Sequence, residues 1–201
     1  MTTPDFRDLD TRAVRASVDV VSGITAADLS RPTPCTEWTL GDLVAHMTVQ
    51  HKGFAAASAG RGAYSEVWKV SAPGPDPVAD YATAAELVIA AFAEPGVLER
   101  GFALPEIMPG VEFPGAQAVS FHFIDYVVHG WDVARALGHK YELDADLVQA
   151  AVPVAEAVPG GERRLRPGAA FRPGLPAPLG VGPMDRILAM LGRSPDWTPP
   201  H

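Results

Sequence analysis

Histidine and aspartate side chains recur at helical spacing within the apolar segment 119–133. His122, Asp125, His129 and Asp132 are separated by three or four residues. On an α-helix these four positions fall within an arc of about 80°. Imidazole and carboxylate groups bind divalent metal ions and transfer protons, whereas a solvated stripe would normally carry Lys, Arg and Glu. The spacing therefore predicts a chemically active face on this helix.

One further histidine, His46, lies far away in the sequence among the apolar residues of segment 43–47. A carboxylate and two imidazoles that meet inside a helical bundle would offer three ligands to Zn²⁺, Ni²⁺ or Fe²⁺, and would leave positions for water or substrate. Asp132 could then hold the second ring N–H of His129 and fix its tautomer. The same residues could instead form a buried hydrogen-bond network, and the spacing alone leaves both interpretations open.

The helices that must position these residues are predicted from the distribution of glycine and proline. The 19 Gly and 20 Pro residues cluster between apolar blocks with helical spacing and so mark the connections between helices. Residues 97–113 are ambiguous between a short strand and an extended crossover, and 159–183 is predicted to be extended. Four long helices joined by one long crossover favour an all-α, four-helix-bundle domain over residues 1–201. The predicted helices are 5–23, 39–60, 77–95, 115–137, 144–158 and 184–192.

Composition excludes several classes of function. Sixteen Lys and Arg against 24 Asp and Glu give a net charge of -8, which argues against binding to nucleic acid. The single cysteine rules out a disulfide framework within the chain. No apolar run approaches the ~20 residues of a membrane span, and the N-terminus does not read as a signal peptide. The expectation is a cytoplasmic protein that does not contact the membrane.

Other reactive side chains carry weaker signals. His51, His139 and His201 lie in polar or terminal segments and are predicted to be surface residues. Cys35 precedes the second helix, whose N-terminus could stabilise a thiolate, but a small buried residue is the simpler interpretation. The arginine cluster of residues 163–166 is predicted to be exposed, with contact to an anionic group of a ligand as the alternative.

Three stretches carry a family resemblance that spans nearly the whole chain. Residues 33–46 read TPCTEWTLGDLVAH, residues 125–138 read DYVVHGWDVARALG and residues 185–197 read DRILAMLGRSPDW. The first two resemble motifs of the mycothiol-dependent maleylpyruvate isomerase N-terminal domain family, within the DinB-like superfamily. The third resembles the end of an uncharacterised metal-binding branch of that family. The combination is specific, although each motif alone is weak.

The resemblance implies a DinB-like four-helix bundle with a divalent metal ion between its helices. Carried over residue by residue, it implies His46, Asp125 and His129 as ligands. The isomerase has Glu at the position of Asp125, so the reach of this ligand is shorter here by about one methylene. His122 lies outside the three-ligand pattern, and it remains open as a fourth ligand, a substrate-facing proton-transfer group or an ordinary helix histidine.

The resemblance also implies a chemistry. The metal, with Zn²⁺ foremost and Ni²⁺ or Fe²⁺ as alternatives, would bind a low-molecular-weight thiol such as mycothiol and favour its thiolate. The thiolate would add to a small electrophile, giving transfer or cis–trans isomerisation. A non-catalytic metal-binding sensor or accessory module stays open. So does a metal-free bundle that serves as a scaffold or a homodimer unit.

Overall fold

Six α-helices and one β-hairpin make up the part of the chain that the computed structural model describes. That part comprises residues 4–35, 38–70, 74–165, 171–177 and 180–199, without the side chain of Arg163. The helices are α1 (Arg7–Val21), α2 (Leu40–Ser58), α3 (Pro77–Ala93), α4 (Gly115–Ala136), α5 (Ala145–Ala157) and α6 (Pro183–Met190). The strands are β1 (Gly101–Ala103) and β2 (Glu112–Pro114).

Local capping residues mark several helix ends. At the start of α2, the Thr39 hydroxyl accepts the backbone N–H of Asp42, and the Asp42 carboxylate accepts the backbone N–H of Thr39. Asp76 caps α3, which has Pro77 in its first turn. Gly138 follows α4 with φ +77°, a conformation that glycine adopts without steric cost. The helical fold class is confirmed.

Helix α4 is buried because it has neighbours on several sides. The helices α1 and α2 each contact both α3 and α4, and α5 packs against α4 as well. Side chains of all these helices join one apolar core. His122, His129 and Asp132 of α4 therefore lie fully inside the protein, where each of them requires a partner.

The ambiguous segment 97–113 contains strands. After a 3₁₀ turn at Val97–Glu99, β1 and β2 pair antiparallel, with Phe102 opposite Phe113. Phe102 and Leu104 are buried, and β1 contacts α2. The hairpin thus holds its connecting loop, residues 104–111, beside α2.

Before α6 begins at Pro183, the described residues from 159 onward form no helix or strand apart from a 3₁₀ turn at Glu162–Leu165. The prediction that Arg164 is exposed is wrong. Its guanidinium is buried and donates to the backbone carbonyls of Val158, Pro159 and Met190, so that it ties the segment to α6. The Arg163 side chain and Arg166 lie outside the described residues. Within the described ranges, no helix combines the length and the apolarity needed to cross a membrane.

Candidate metal centre

Helices α2 and α4 bring His46, Asp125 and His129 together. One potential ligand atom of each residue lies within 4.8 Å of the others. On α4, Asp125 and His129 are four residues apart and therefore share a face, with Asp125 Oδ1 3.4 Å from His129 Nε2. The ring of His46 meets that of His129 edge-on, with centroids 5.4 Å apart.

The two imidazoles each present a buried nitrogen without a hydrogen-bond partner. These atoms are Nε2 of His46 and Nε2 of His129. Leaving such atoms unsatisfied costs about 1–3 kcal/mol each, so native structures normally give them a partner. Two such nitrogens beside a carboxylate fit a divalent metal ion, which is bound at about 2.0–2.2 Å from each ligand. The Asp125 side chain keeps 13% of its surface exposed, so the group is open to solvent on its side.

The two histidines differ in charge. Burial lowers the pKa of His46 to about 4, so that its ring is neutral and keeps a lone pair. Burial also opposes the charged form of His129, but the carboxylates of Asp125 and Asp132 outweigh it and raise the pKa of His129 to about 10. The position between Asp125 and the His129 ring therefore favours positive charge.

Asp132 fixes the orientation of the His129 ring. Its Oδ2 lies 3.0 Å from His129 Nδ1, and both residues are fully buried. Burial disfavours the carboxylate, yet Arg193 and His129 hold the pKa of Asp132 at about 2. An ionised Asp132 accepts the Nδ1–H of His129, which directs Nε2 towards Asp125 and His46.

Arg193 is a residue of this site to which sequence reasoning gave no role. It follows α6, and its Nη2 lies 3.0 Å from Asp132 Oδ2 in a nearly fully buried contact. The signal that the sequence offers is its place within the third family-like stretch, directly after Gly192. A separation of 61 residues from Asp132 leaves no periodicity that could reveal the pair.

Cys35 belongs to the same cluster. Its thiol donates to Asp132 Oδ2 at 3.0 Å, and Arg193 Nη2 lies 3.0 Å from the sulfur. Burial and the charge of Asp132 raise the pKa of the thiol, which disfavours a nucleophilic thiolate. Cys35, His129 and Asp132 form a second group of potential metal ligands, but there the guanidinium of Arg193 already supplies the positive charge.

His122 faces a different environment, although it shares the polar stripe of α4. Its Nδ1 lies 2.7 Å from Asp10 Oδ1 on α1, and its Nε2 lies 3.1 Å from His51 Nδ1 on α2. All three side chains are buried, so the prediction of a surface position for His51 is wrong. His122 and His129 are seven residues apart, which is about two turns or ~10 Å along α4, so the stripe reaches two separate clusters. Both ring nitrogens of His122 are engaged away from the proposed ligands.

Comparison with known proteins supports the sequence resemblance. Residues 11–134 match the family model described as the mycothiol maleylpyruvate isomerase N-terminal domain. Two uncharacterised proteins of Mycobacterium tuberculosis, MT0763 (strain CDC 1551 / Oshkosh) and Rv0738 (strain ATCC 25618 / H37Rv), are each 32% identical over 183 residues. These alignments cover 91% of this chain and 94% of each relative.

Solved structures agree on the fold. The crystal structure of the mycothiol-dependent maleylpyruvate isomerase aligns with a TM-score of 0.59 at 12% identity, over 78% of this chain and 69% of that one. The DinB-like protein YjoA of Bacillus subtilis aligns with a TM-score of 0.53 at 16% identity, over 70% of this chain and 96% of that one. Identities this low are evidence for the fold alone.

Proposed function

Because the chain belongs to the mycothiol maleylpyruvate isomerase N-terminal domain family, we propose that it is a metal-dependent enzyme that uses a low-molecular-weight thiol to isomerise or modify a small electrophile. The proposed ligands are His46, Asp125 and His129. The observation that carries the proposal is the pair of buried, unpartnered Nε2 atoms beside the Asp125 carboxylate. A metal-free network would leave both nitrogens without a partner.

The donor set indicates which metals fit. Two imidazole nitrogens and one carboxylate oxygen suit Zn²⁺, with Ni²⁺ and Fe²⁺ as alternatives. Three protein ligands also leave a position for an exogenous group, as in catalytic rather than structural zinc sites. The metal, when bound, would favour the thiolate form of a thiol such as mycothiol.

The chain's own residues prepare this site. Asp132 holds the Nδ1–H of His129, and Arg193 keeps Asp132 ionised. The indole of Trp38 packs on His46 with ring centroids 4.6 Å apart, which limits the rotation of that imidazole. The protein thereby fixes the direction of both Nε2 atoms before a ligand arrives, which reduces the cost of ordering them on binding.

Two outcomes of thiol addition are compatible with the family. In isomerisation, sulfur adds to one carbon of a conjugated double bond, the new single bond rotates and the C–S bond breaks again, so the thiol is regenerated. In transfer, the C–S bond persists and the product keeps the sulfur. Both require a reduced thiol, and we therefore propose a cytoplasmic location.

Metal analysis and thiol consumption test the proposal together. Protein repleted with Zn²⁺ or Ni²⁺ is expected to hold about one ion per chain, and His129→Ala is expected to lose most of it. His139→Ala, at an exposed histidine, is the matched control and should keep the metal. The loaded protein should consume mycothiol with maleylpyruvate or monochlorobimane as electrophile. Less than about 0.2 ion per chain after repletion overturns the metal site, and metal without any thiol turnover favours a binding module.

A further inference from the structure

The loop between β1 and β2 carries a carboxylate towards α2. Leu104 is buried at the start of this loop, and its carbonyl accepts the backbone N–H groups of Ile107 and Met108, which closes a tight turn. Glu106 lies at the tip of the turn. The residue is exposed overall, but its carboxylate points inward, since Oε2 lies 2.6 Å from the Gln50 amide nitrogen.

Gln50 links this carboxylate to the proposed metal ligands. It lies four residues after His46 on α2, so both side chains project from the same face of the helix. Gln50 is itself buried, with 6% of its surface exposed, and its amide donates to Glu106. The face of α2 that carries His46 therefore also carries Gln50, which holds the Glu106 carboxylate one helical turn further along the helix.

Asp125 acts on Glu106 through its charge. Burial raises the pKa of the Glu106 carboxyl, the hydrogen bond from Gln50 opposes this shift, and the negative charge of Asp125 adds to it. A carboxyl group with a raised pKa can take up and release a proton closer to neutral pH than an ordinary glutamate. Because Gln50 holds its carboxylate one helical turn from His46, Glu106 lies on the side of α2 that faces the proposed centre.

We propose that Glu106 is the acid–base residue of this site, an inference that rests on the proposed function. Gln50 holds Oε2, and Oε1 accepts the S–H proton of the incoming thiol. The sulfur electron pair then forms the C–S bond, while the π pair of the double bond moves onto the neighbouring carbon or its conjugated oxygen. Glu106 returns the proton there in a transfer reaction. In isomerisation the π bond re-forms, the C–S bond breaks and the leaving sulfur recovers its proton from Glu106, so that protons and electrons balance.

His122 is a weaker candidate for this role on geometric grounds. Both of its ring nitrogens are engaged by buried residues, Asp10 and His51. Glu106 has one oxygen held by Gln50 and stands on a solvent-facing loop, where a small molecule can reach it.

The test compares Glu106→Gln with Glu112→Gln, a control at an exposed carboxylate in the same hairpin. Each protein is loaded with Co²⁺ and titrated with mycothiol at about pH 6, below the ordinary thiol pKa of about 8.5. Binding as thiolate is followed by the sulfur-to-cobalt charge-transfer band. Released protons are counted with an indicator in weak buffer.

We expect the charge-transfer band in all three proteins. For each thiol that binds, Glu106→Gln should release up to one proton more than the wild type or Glu112→Gln releases. Turnover with maleylpyruvate should fall about 10²–10⁴-fold in Glu106→Gln alone. If Glu106→Gln releases as many protons as Glu112→Gln and its turnover stays within about threefold of that control, the role of Glu106 is overturned while the proposed function stands. Absence of the band in the wild type overturns the proposed function itself and, with it, this role.

Discussion

The guanidinium of Arg193 and the carboxylate of Asp132 form a buried ion pair, with Nη2 3.0 Å from Oδ2 and almost no exposed surface on either side chain. The pair joins the segment after α6 to the C-terminal part of α4. Asp132 in turn contacts His129, so this carboxylate connects the C-terminal segment to the proposed metal centre.

Removing the cation of this pair should destabilise the fold. Arg193→Met leaves Asp132 buried without its strongest partner, and we expect the free energy of unfolding to fall by about 3–5 kcal/mol in urea denaturation of the metal-free protein. Arg186→Met, which breaks an exposed pair with Glu156, should cost less than about 1 kcal/mol. If the free energy of unfolding fell equally in the two variants, a stabilising role for the buried pair would be contradicted.

Asp132 should control metal affinity without being a ligand. Asp132→Asn keeps the size of the side chain but weakens its hold on the His129 Nδ1–H, and we expect Zn²⁺ affinity to fall about 10–100-fold in competition with a chelator. Asp196→Asn, at an exposed position, should leave the affinity unchanged. An Asp132→Asn protein that binds Zn²⁺ as tightly as the wild type would show that His129 needs no such support.

Cys35 should be dispensable as a nucleophile. Cys35→Ser retains a donor to Asp132, and we expect metal content to stay near one ion per chain and thiol turnover to stay within about threefold of the wild type. Metal analysis and the mycothiol assay measure these two quantities. A loss of turnover of about 10³-fold with full metal content would instead make Cys35 the attacking group.

His51 should make the fold sensitive to acid. Burial and the neighbouring His122 hold the pKa of His51 well below 6.5, so near pH 6 the unfolded chain binds a proton that the folded protein does not. Stability is therefore complete above about pH 6.5 and declines as the pH falls, by up to about 1.4 kcal/mol per pH unit. The measurement is urea denaturation of metal-free protein at about pH 7.5 and 5.5.

The matched variant isolates this contribution. His51→Gln keeps a polar group next to His122 but cannot titrate, so its stability should fall less on acidification than that of the wild type. The raised pKa of Asp10 acts in the opposite direction and is present in both proteins, so the difference reports on His51. His139→Gln should behave like the wild type, and a His51→Gln protein with the wild-type pH dependence would refute the assignment.

Much of the fold was predictable because its signals are local. Thr39, Asp76 and Gly138 mark helix ends through hydrogen bonds or backbone angles within a few residues of themselves. The proximity of Asp125 and His129 also follows from helical geometry, since residues four apart share a face. Their approach to His46 depends on packing between helices, and the family resemblance supplied that expectation.

Other features depend on contacts that local sequence does not encode. His51 lies between Gln50 and Lys52, which suggests a polar surface, but the packing of α2 against α4 buries the imidazole against His122 and Tyr126. Glu106 was assigned no role, because only the hairpin and its bond to Gln50 bring it towards α2. Apart from the proposed ligands, side chains that meet across long separations leave no local pattern in the sequence.

The position of Arg193 along the chain also bears on biosynthesis. A nascent polypeptide that has emerged through α4 already carries His46, Asp125 and His129, but the cation that neutralises Asp132 is still to be translated. Until α6 docks, the Asp132 carboxylate lies beside His129 without the guanidinium of Arg193. If the proposed site binds its metal, we therefore expect it to reach the final affinity only late in maturation, after the ribosome has released the segment that contains Arg193.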